Sequence, residues 1–395
     1  MNPNGGRHIG AEALRAARVP PFHAMAMARL ASEHEASGRR VLHLEVGQPA
    51  TPAPSLARRA AVEAIESENA LGYTNAPGLQ SLRRRIAAHY AERYSAAVDA
   101  EAVQVVAGAS AGFTLAFLAC FDAGQRVGVV EPGYPCYRNT LIALGIEAVP
   151  VPVGAPTRWA PTAELLDDAG HLDGLIVASP SNPTGTVLDD AALSALVLYC
   201  DQRGIRLIAD EIYHGITYGG PAPSVLSHTA DAVVINSFSK YYSMTGWRLG
   251  WMVVPDGLHD AVERLQQNLF ICAPHVSQVA GLAAFECRAE LDAHVERYAR
   301  HRRLLIDGLA AAGIADIAEA DGAFYVYADV AAVLAARGVD TSMALCRTWL
   351  DELGVASTPG LDFDLARGND FVRFSYAGDP ADIAQACTLL GGWLA

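Results

Sequence analysis

Five short runs rich in valine and isoleucine lie between residues 103 and 236, and longer stretches of helical character separate them. Runs that are apolar throughout suit strands covered on both faces, and their alternation with helices is typical of a mostly parallel sheet. The predicted strands are residues 103–107, 127–130, 174–178, 206–209 and 233–236. This pattern restricts the chain to an α/β fold in which helices cover both faces of the sheet.

Polar and glycine residues follow each of these runs, at the carboxyl end of the predicted strand. Ligands of open α/β sheets bind beyond the carboxyl ends of the strands. In chain order the segments are Gly108-Ala109-Ser110, Glu131-Pro132-Gly133-Tyr134, Ser181-Asn182-Pro183-Thr184-Gly185, Asp210-Glu211-Ile212-Tyr213 and Ser237-Phe238-Ser239-Lys240. We therefore expect these segments to meet around one site.

Lys240 is the only lysine among the 29 lysine and arginine residues of the chain. A guanidinium group stays protonated, whereas a buried ammonium can lose its proton and attack a carbonyl carbon. The single lysine therefore predicts a residue that forms an imine. The alternative is that one lysine persisted by drift in a chain whose composition favours arginine.

Composition limits the class of protein. The chain has 395 residues, a net charge of -14 and no basic run longer than Arg83-Arg84-Arg85, which argues against nucleic acid or an anionic membrane as a partner. No stretch reaches the roughly 18 continuous apolar residues of a membrane span, so we expect a cytoplasmic protein. The seven cysteines are widely spaced, which favours reduced core thiols over disulfides or a metal site.

Gly108-Ala109-Ser110 joins a predicted strand to a helix over residues 111–121, and helix starts bind anions through free N–H groups. A plain turn is the alternative, and the spacing does not match the G-x-G-x-x-G pattern of dinucleotide sites. Ser237, Ser239 and Arg248 add donors near Lys240 in the sequence. These residues together predict a phosphate site, although Arg248 could instead pair with a surface carboxylate.

Asp210 ends a buried run, where an unpaired carboxylate is costly. It therefore needs a partner, in a functional site or as a helix cap or structural ion pair. We expect Tyr213 to be a core residue unless its hydroxyl has a partner, and Asn182 in Asn-Pro-Thr-Gly is a good turn former. Arg373 lies in an alternating strand over residues 371–375, where it either binds a carboxylate or faces solvent.

Ser237 and Lys240 also match the S-x-x-K motif of serine β-lactamases and penicillin-binding proteins. Those enzymes additionally use a K-T-G motif, which a chain with a single lysine lacks. The sequence contains neither H-E-x-x-H nor a C-x-x-C pair, so it carries no zinc motif.

Several further elements are predicted outside the five runs. We expect a helix over residues 23–37, an alternating strand over residues 41–49 that breaks at Gly47, a strand over residues 249–254, a helical stretch over residues 274–309 and a strand over residues 323–328. The alternation of polar and apolar residues near the carboxyl terminus indicates a smaller sheet with one solvated face.

Ordered motifs extend along nearly the whole chain. They are Val19-Pro20-Pro21-Phe22, Val46-Gly47-Gln48-Pro49, Gly72-Tyr73-Thr74, Glu131-Pro132-Gly133-Tyr134-Pro135, Asn182-Pro183-Thr184-Gly185, Asp210-Glu211-Ile212-Tyr213, Ser237-Phe238-Ser239-Lys240, Gly246-Trp247-Arg248-Leu249-Gly250 and Arg373. In this order they resemble the class I/II aminotransferases, fold type I enzymes that use pyridoxal 5′-phosphate. The resemblance implies a large cofactor-binding domain over residues 47–285, with a mostly parallel sheet sandwiched by helices. A smaller α+β domain would span residues 286–395, with residues 1–46 contributing to it.

The resemblance also implies a role for each motif residue. Lys240 would carry the internal aldimine and, once released by substrate, move a proton between the α carbon and the cofactor. Asp210 would pair with the protonated pyridine nitrogen and strengthen the ring as an electron sink. Asn182 and Tyr213 would hydrogen-bond the phenolic oxygen of the ring, and Tyr134 would stack on it.

By the same resemblance, Ala109, Ser110, Ser237 and Arg248 would hold the cofactor's phosphate, and Tyr73 would reach that phosphate from the partner subunit. Shared sites of this kind imply a homodimer.

The substrate's α-carboxylate would be bound by Arg373 in a bidentate fashion, together with the Gly47 backbone and Asn182. Phe22 would lie beside the substrate's side chain.

The activity implied is exchange of an amino group between an L-amino acid and a 2-oxo acid by a ping-pong mechanism. Relatives that act on dicarboxylic acids often supply an arginine from the partner near residues 266–275, and this segment has none. Phe22, Phe270, Ile271 and Cys272 instead indicate a neutral or apolar side-chain pocket, although an arginine elsewhere could serve. A carbon–sulfur lyase of the same fold and a non-catalytic cofactor-binding regulator stay open as alternatives, because the cofactor supplies a common electron sink.

Overall fold

The computed structural model describes residues 13–68 and 70–395. The strands are β1 (Leu42–His43), β2 (Val103–Val106), β3 (Arg126–Glu131), β4 (Glu147–Pro152), β5 (Gly174–Ala178), β6 (Arg206–Asp210), β7 (Val233–Ser237), β8 (Gly250–Val253), β9 (Tyr325–Asp329), β10 (Val355–Ala356), β11 (Thr358–Pro359) and β12 (Phe371–Ser375). The first twelve residues of the expected segment 1–46 lie outside the described residues.

The helices are α1 (Leu14–Ala17), α2 (His23–Ala36), α3 (Ser55–Glu66), α4 (Gln80–Tyr94), α5 (Ala109–Cys120), α6 (Pro135–Leu144), α7 (Ala163–Asp168), α8 (Asp190–Arg203), α9 (His259–Leu269), α10 (His275–Ala284), α11 (Arg288–Ala311), α12 (Ala331–Arg337), α13 (Ser342–Leu353) and α14 (Pro380–Leu394). Helices and strands alternate through the middle of the chain, as the sequence pattern predicts for an α/β fold.

A seven-stranded sheet forms the centre of the molecule, in the order β2-β8-β7-β6-β5-β3-β4. β8 runs antiparallel to both of its neighbours, and the other strands are parallel to one another. Strands β2, β5, β7 and β8 are buried along almost their whole length, with helices covering both faces. The α/β class and the five predicted strands are therefore confirmed.

Strand β4 is the member of the sheet that the sequence did not predict. It contains Pro150 and Pro152 and alternates between buried and exposed residues. Proline lacks an N–H donor and is therefore confined to sheet edges. β4 lies at one edge of the sheet, beside β3, where the missing donors cost no ladder hydrogen bond.

One prediction about an extended element was wrong. Only Leu42–His43 of residues 41–49 form a strand, β1, because the carbonyl groups that follow accept irregular hydrogen bonds: Ser375 N–H donates to Leu44 and Arg373 Nη2 donates to Glu45. The helical stretch predicted over residues 274–309 is confirmed as α10 and α11, joined by a 3₁₀ turn over Phe285–Cys287. The Phe285 ring packs there against the rings of the sheet's core.

A second, smaller core lies around the three-stranded antiparallel sheet β11-β12-β9. The amino-terminal segment joins this core through Met27, Ala31, Leu42 and Leu44, and β1 pairs with β10. Helix α11 spans the two cores, because its first turns pack in the large core and its later turns in the small one.

The described ranges 13–68 and 70–395 contain no helix that is both long and apolar enough to cross a membrane.

Candidate active site

A cavity of about 290 Å³ opens beyond the carboxyl ends of the sheet's parallel strands, between the two cores. Most residues singled out from the sequence line it. They are Phe22, Gly47, Ala109, Ser110, Tyr134, Asn182, Asp210, Tyr213, Lys240, Arg248 and Arg373. The strand order explains this convergence, because β6 and β7 are neighbours and carry Asp210 and Lys240 at the same edge of the sheet.

Lys240 extends into the cavity from the turn after β7. Its Nζ atom donates a hydrogen bond to the carbonyl oxygen of Gly47 at 2.6 Å. Burial, assisted by the positive charge of Arg373, lowers the pKa of Lys240 from 10.5 to about 8. A useful fraction of the amine is therefore neutral, and nucleophilic, near physiological pH.

Asp210 ends β6 with its carboxylate buried in the cavity wall. One carboxylate oxygen accepts the Ile212 N–H at 2.9 Å, and the other accepts the hydroxyl hydrogen of Tyr137. Burial raises the pKa of Asp210 from 3.8 to about 6 even though both hydrogen bonds lower it. Among the described residues, Asp210 neither caps a helix nor forms an ion pair, so its partners are the two hydrogen-bond donors.

Helix α5 begins at the cavity, where Gly108 has a φ of +82°. The Arg248 guanidinium packs so closely on Gly108 that a side chain there would collide with it. The N–H groups of the first turn of α5, including those of Ala109 and Ser110, have no acceptor within the helix. Arg248 donates to the Thr245 carbonyl at 3.0 Å and pairs with no carboxylate in the described part of the chain. This corner of the cavity therefore presents unpaired donors and one unpaired positive charge.

Ser237 lies behind this corner and does not line the cavity. Its hydroxyl is 3.0 Å from the Leu249 carbonyl oxygen and 2.9 Å from the hydroxyl of Ser239, which does line the cavity. Ser237 therefore reaches the cavity only through Ser239.

Arg373 faces inward from β12, with only 4% of the residue exposed, so the solvent-facing alternative is wrong. Nη1 donates to Asn182 Oδ1 at 2.9 Å, and Nη2 donates to the Glu45 carbonyl at 2.7 Å. The guanidinium also stacks on the Tyr325 ring at 4.4 Å. Its Nε has no hydrogen-bond partner among the described residues, which leaves a buried donor for a ligand.

Four tyrosines complete the wall. The Tyr213 hydroxyl is 2.6 Å from that of Tyr325, so Tyr213 has the partner that a functional role requires. Tyr134 meets Tyr137 edge-on at 5.4 Å and Phe22 at 6.2 Å.

Tyr73 does not line the cavity of its own chain, and 82% of the residue is exposed. The sequence did not identify Tyr137 or Tyr325 as site residues. Tyr137 has a recognisable signal, since it follows the motif residue Tyr134 by three positions, whereas Tyr325 sits in an ordinary alternating strand. Among residues 13–68 and 70–395, no group of three or more His, Cys, Asp or Glu side chains is arranged to hold a metal ion.

A family model described as "Aminotransferase class I and II" matches residues 39–390. This chain belongs to the class I and II aminotransferase family. The aminotransferase is 49% identical over 387 residues to the valine–pyruvate aminotransferase of Mycobacterium tuberculosis. The aligned region covers 97% of this chain and 98% of that protein.

The solved structures agree with this assignment. A crystal structure of an aminotransferase from Mycobacterium tuberculosis covers 97% of this chain and 99% of its own, with 48% identity and a TM-score of 0.92. The aspartate aminotransferase of Thermus thermophilus, solved with maleate, has 26% identity and a TM-score of 0.89, covering 97% and 99%. The fold expected from the motifs is confirmed, and the aminotransferase is an enzyme of a family whose members depend on pyridoxal 5′-phosphate.

Proposed function

We propose that this aminotransferase binds pyridoxal 5′-phosphate at Lys240 and exchanges an amino group between a neutral L-amino acid and a 2-oxo acid. The observation that carries the proposal is the buried Lys240 amine, which shares one cavity with the buried carboxylate of Asp210. Lys240 is also the only lysine in the chain, so no other side chain can form the required imine.

The cavity fits the cofactor because it contains unsatisfied groups of the right chemistry. Asp210 is a buried carboxylate that forms no ion pair within residues 13–68 and 70–395, and a protonated pyridine nitrogen would supply a cation. Arg248 is a guanidinium at a helix start, where a phosphate binds well, and it has no carboxylate partner in the same part of the chain. The amide oxygen of Asn182 accepts a hydrogen bond from Arg373. The amide hydrogens of Asn182 are therefore left for the ring's phenolic oxygen.

The bound cofactor supplies the electron sink that makes the substrate's α hydrogen acidic. The protein's residues then control where protons and charges go. The Nζ of Lys240 would accept the proton from the substrate's α carbon. Asp210 would stabilise a positive charge on the ring nitrogen, and Tyr213 would donate a hydrogen bond to the ring oxygen. Tyr134 would pack against the ring.

Arg373 binds the substrate's α-carboxylate in this proposal. Its Nε is buried and unpartnered, and its other nitrogens are held by Asn182 and Glu45, so the guanidinium is fixed in orientation before substrate arrives. The Gly47 backbone borders the same position. A fixed fork of donors suits bidentate binding of a carboxylate.

The phosphate corner would consist of Ala109, Ser110 and Arg248, with Ser237 acting through Ser239. Tyr73 would come from a partner subunit in a homodimer with shared active sites. This part of the proposal is supported by the exposure of Tyr73 and by its absence from the cavity of its own chain.

The wall near the substrate's side chain is apolar. It is formed by Phe22, Ala24, Met25 and Ala28. Among residues 13–68 and 70–395, the cations that line the cavity are Lys240, Arg248 and Arg373, and each has a proposed role, so this part of the chain offers no further cation for a distal carboxylate. Together with the 49% identical valine–pyruvate aminotransferase, this supports valine as the amino donor and pyruvate as the acceptor.

We further propose the division into residues 47–285 and 286–395, with the amino-terminal segment in the second unit. It is supported by the membership of the two cores and by helix α11, which leaves one core for the other. A cytoplasmic location is supported by seven cysteines that are all unpaired, as in a reducing compartment.

The test of this function is a spectrum of the purified enzyme while single amino acids are added. Valine should convert the bound cofactor to its pyridoxamine form, and pyruvate should reverse the change. Aspartate and glutamate should act at least tenfold less efficiently. Ammonia release from cysteine would favour the lyase, and a bound cofactor that no amino acid alters would favour the regulator. Either result in place of the valine reaction would contradict the proposal.

A further inference from the structure

Tyr325 contacts three groups of the proposed site at once. Its hydroxyl is hydrogen-bonded to that of Tyr213 at 2.6 Å. The Arg373 guanidinium stacks on its ring at 4.4 Å, and its hydroxyl packs against Gly47 so closely that a side chain at Gly47 would collide with it. Tyr325 is thus in contact with the cofactor side and the substrate side of the cavity.

The hydroxyl hydrogens of Tyr213 and Tyr325 determine what this pair can donate to a ligand. Burial raises the pKa of both Tyr213 and Tyr325 above its ordinary value, so both hydroxyls keep their hydrogens at neutral pH. One of the two hydrogens forms the bond between the hydroxyls. Neither hydroxyl has another hydrogen-bond partner within residues 13–68 and 70–395. The second hydrogen is therefore free for an acceptor in the cavity that both residues line.

We propose that Tyr325 is a positioning residue whose hydroxyl donates to Tyr213 and thereby aims the Tyr213 hydrogen at the phenolic oxygen of the bound cofactor. The inference rests on the proposed function, since it needs pyridoxal 5′-phosphate in the cavity. A hydroxyl that accepts one hydrogen bond has fewer orientations left in which to donate, so the pair supplies a fixed donor.

The test uses the holoenzyme and the absorbance of its bound cofactor as a function of pH. The Tyr213 donor stabilises the ionised ring oxygen, so weakening it should raise the pKa at which the absorbance changes. In Tyr325→Phe, which keeps the ring under Arg373, this pKa should rise by about 0.5 to 1, the value of one ordinary hydrogen bond. The kcat should fall about fivefold while the KM for the amino acid changes less than twofold.

Tyr327→Phe is the matched control. Tyr327 lies two residues further along β9, is equally buried, and has a hydroxyl without a hydrogen-bond partner in the described structure. Removing that hydroxyl should leave the absorbance pKa and the kcat unchanged.

A double variant separates positioning from general damage. If Tyr325 acts through Tyr213, adding Tyr325→Phe to Tyr213→Phe should shift the absorbance pKa no further. The proposal is overturned if Tyr325→Phe behaves like Tyr327→Phe, or if its effect persists in the Tyr213→Phe background. If the wild-type protein develops no cofactor absorbance, the proposed function fails instead, so the two failures are distinguishable.

Discussion

The Nζ atom of Lys240 lies 2.6 Å from the carbonyl oxygen of Gly47. This contact joins the turn after β7 to the segment after β1, and so joins the large core to the amino-terminal part of the small one. It holds the lysine amine at the boundary where the substrate's carboxylate and the cofactor's carbon are expected to meet. Burial, together with the charge of Arg373, keeps the pKa of this amine low.

The pKa of about 8 for Lys240 predicts how cofactor uptake depends on pH. Imine formation needs the neutral amine, whose fraction rises about tenfold per pH unit below the pKa and levels off above it. The rate at which the cofactor's absorbance develops in the apoenzyme should therefore rise up to about pH 8 and then become constant. A rate that keeps rising toward pH 10 would indicate an ordinary lysine and contradict the geometry.

Asp210→Asn should stabilise the apoenzyme while weakening cofactor binding. The native pKa of Asp210 is raised from 3.8 to about 6, so the native state releases its proton at a higher pH than the unfolded chain does. The stability of the wild type therefore falls between about pH 4 and 6, by up to roughly 3 kcal/mol, and stays lower above that range.

Thermal melts of the cofactor-free proteins test whether the ionised Asp210 destabilises the wild type relative to Asp210→Asn. Asp210→Asn should melt at a higher temperature than the wild type at pH 8, and the difference should disappear near pH 4. Saturating cofactor should reverse the order, because the variant lacks a counterion for the ring nitrogen. A variant that melts lower than the apo wild type at every pH would show that the buried charge carries no cost.

Arg373→Gln should impair substrate binding more than cofactor binding. Two charge-assisted hydrogen bonds to the α-carboxylate are lost, which corresponds to a rise in KM of about 100-fold or more. The absorbance of the bound cofactor should be retained. Arg158→Gln is the control, because Arg158 is exposed and pairs with Glu319 and Asp321 on the surface. Equal KM values for Arg373→Gln and wild type would rule out the carboxylate role.

Tyr73 and Lys240 should complement each other between subunits. Tyr73→Ala should bind cofactor about tenfold more weakly, because one hydrogen bond to a charged phosphate is lost, and Lys240→Ala should be inactive. In a mixed dimer, the Lys240 of one subunit meets the intact Tyr73 of the other. Mixing the two variants under subunit exchange should therefore raise activity, at limiting cofactor, above the sum of the separate variants. Simple additivity would exclude a shared site.

Much of this fold could be read from the sequence, because its central strands are apolar along their whole length. The runs that form β5, β6 and β7 could be predicted as strands without knowing which strands they pair with. Asp210 and Lys240, which follow the ends of β6 and β7, line the same cavity, as expected. The edge strand β4 was missed because its two prolines contradict strand propensity unless the strand is known to lie at an edge.

The features of the fold and site that could not be predicted depend on contacts between residues far apart in the sequence. Residues 41–49 alternate like a strand, but Arg373 and Ser375 donate hydrogen bonds to two of their carbonyl groups. No local sequence pattern indicates these contacts. Tyr325 likewise becomes part of the site only because β9 carries it to Tyr213, 112 residues away in the chain. Its role depends on tertiary register and not on a motif.

The most direct test of the central claim is reduction of the holoenzyme with borohydride, followed by proteolysis and mass spectrometry. Because Lys240 is the only lysine, an imine with the cofactor can be trapped on one side chain only. A single pyridoxyl label is expected on the peptide that contains Lys240, and none in Lys240→Ala. A reduced holoenzyme without a label on Lys240, or with equal labelling of Lys240→Ala, would contradict it.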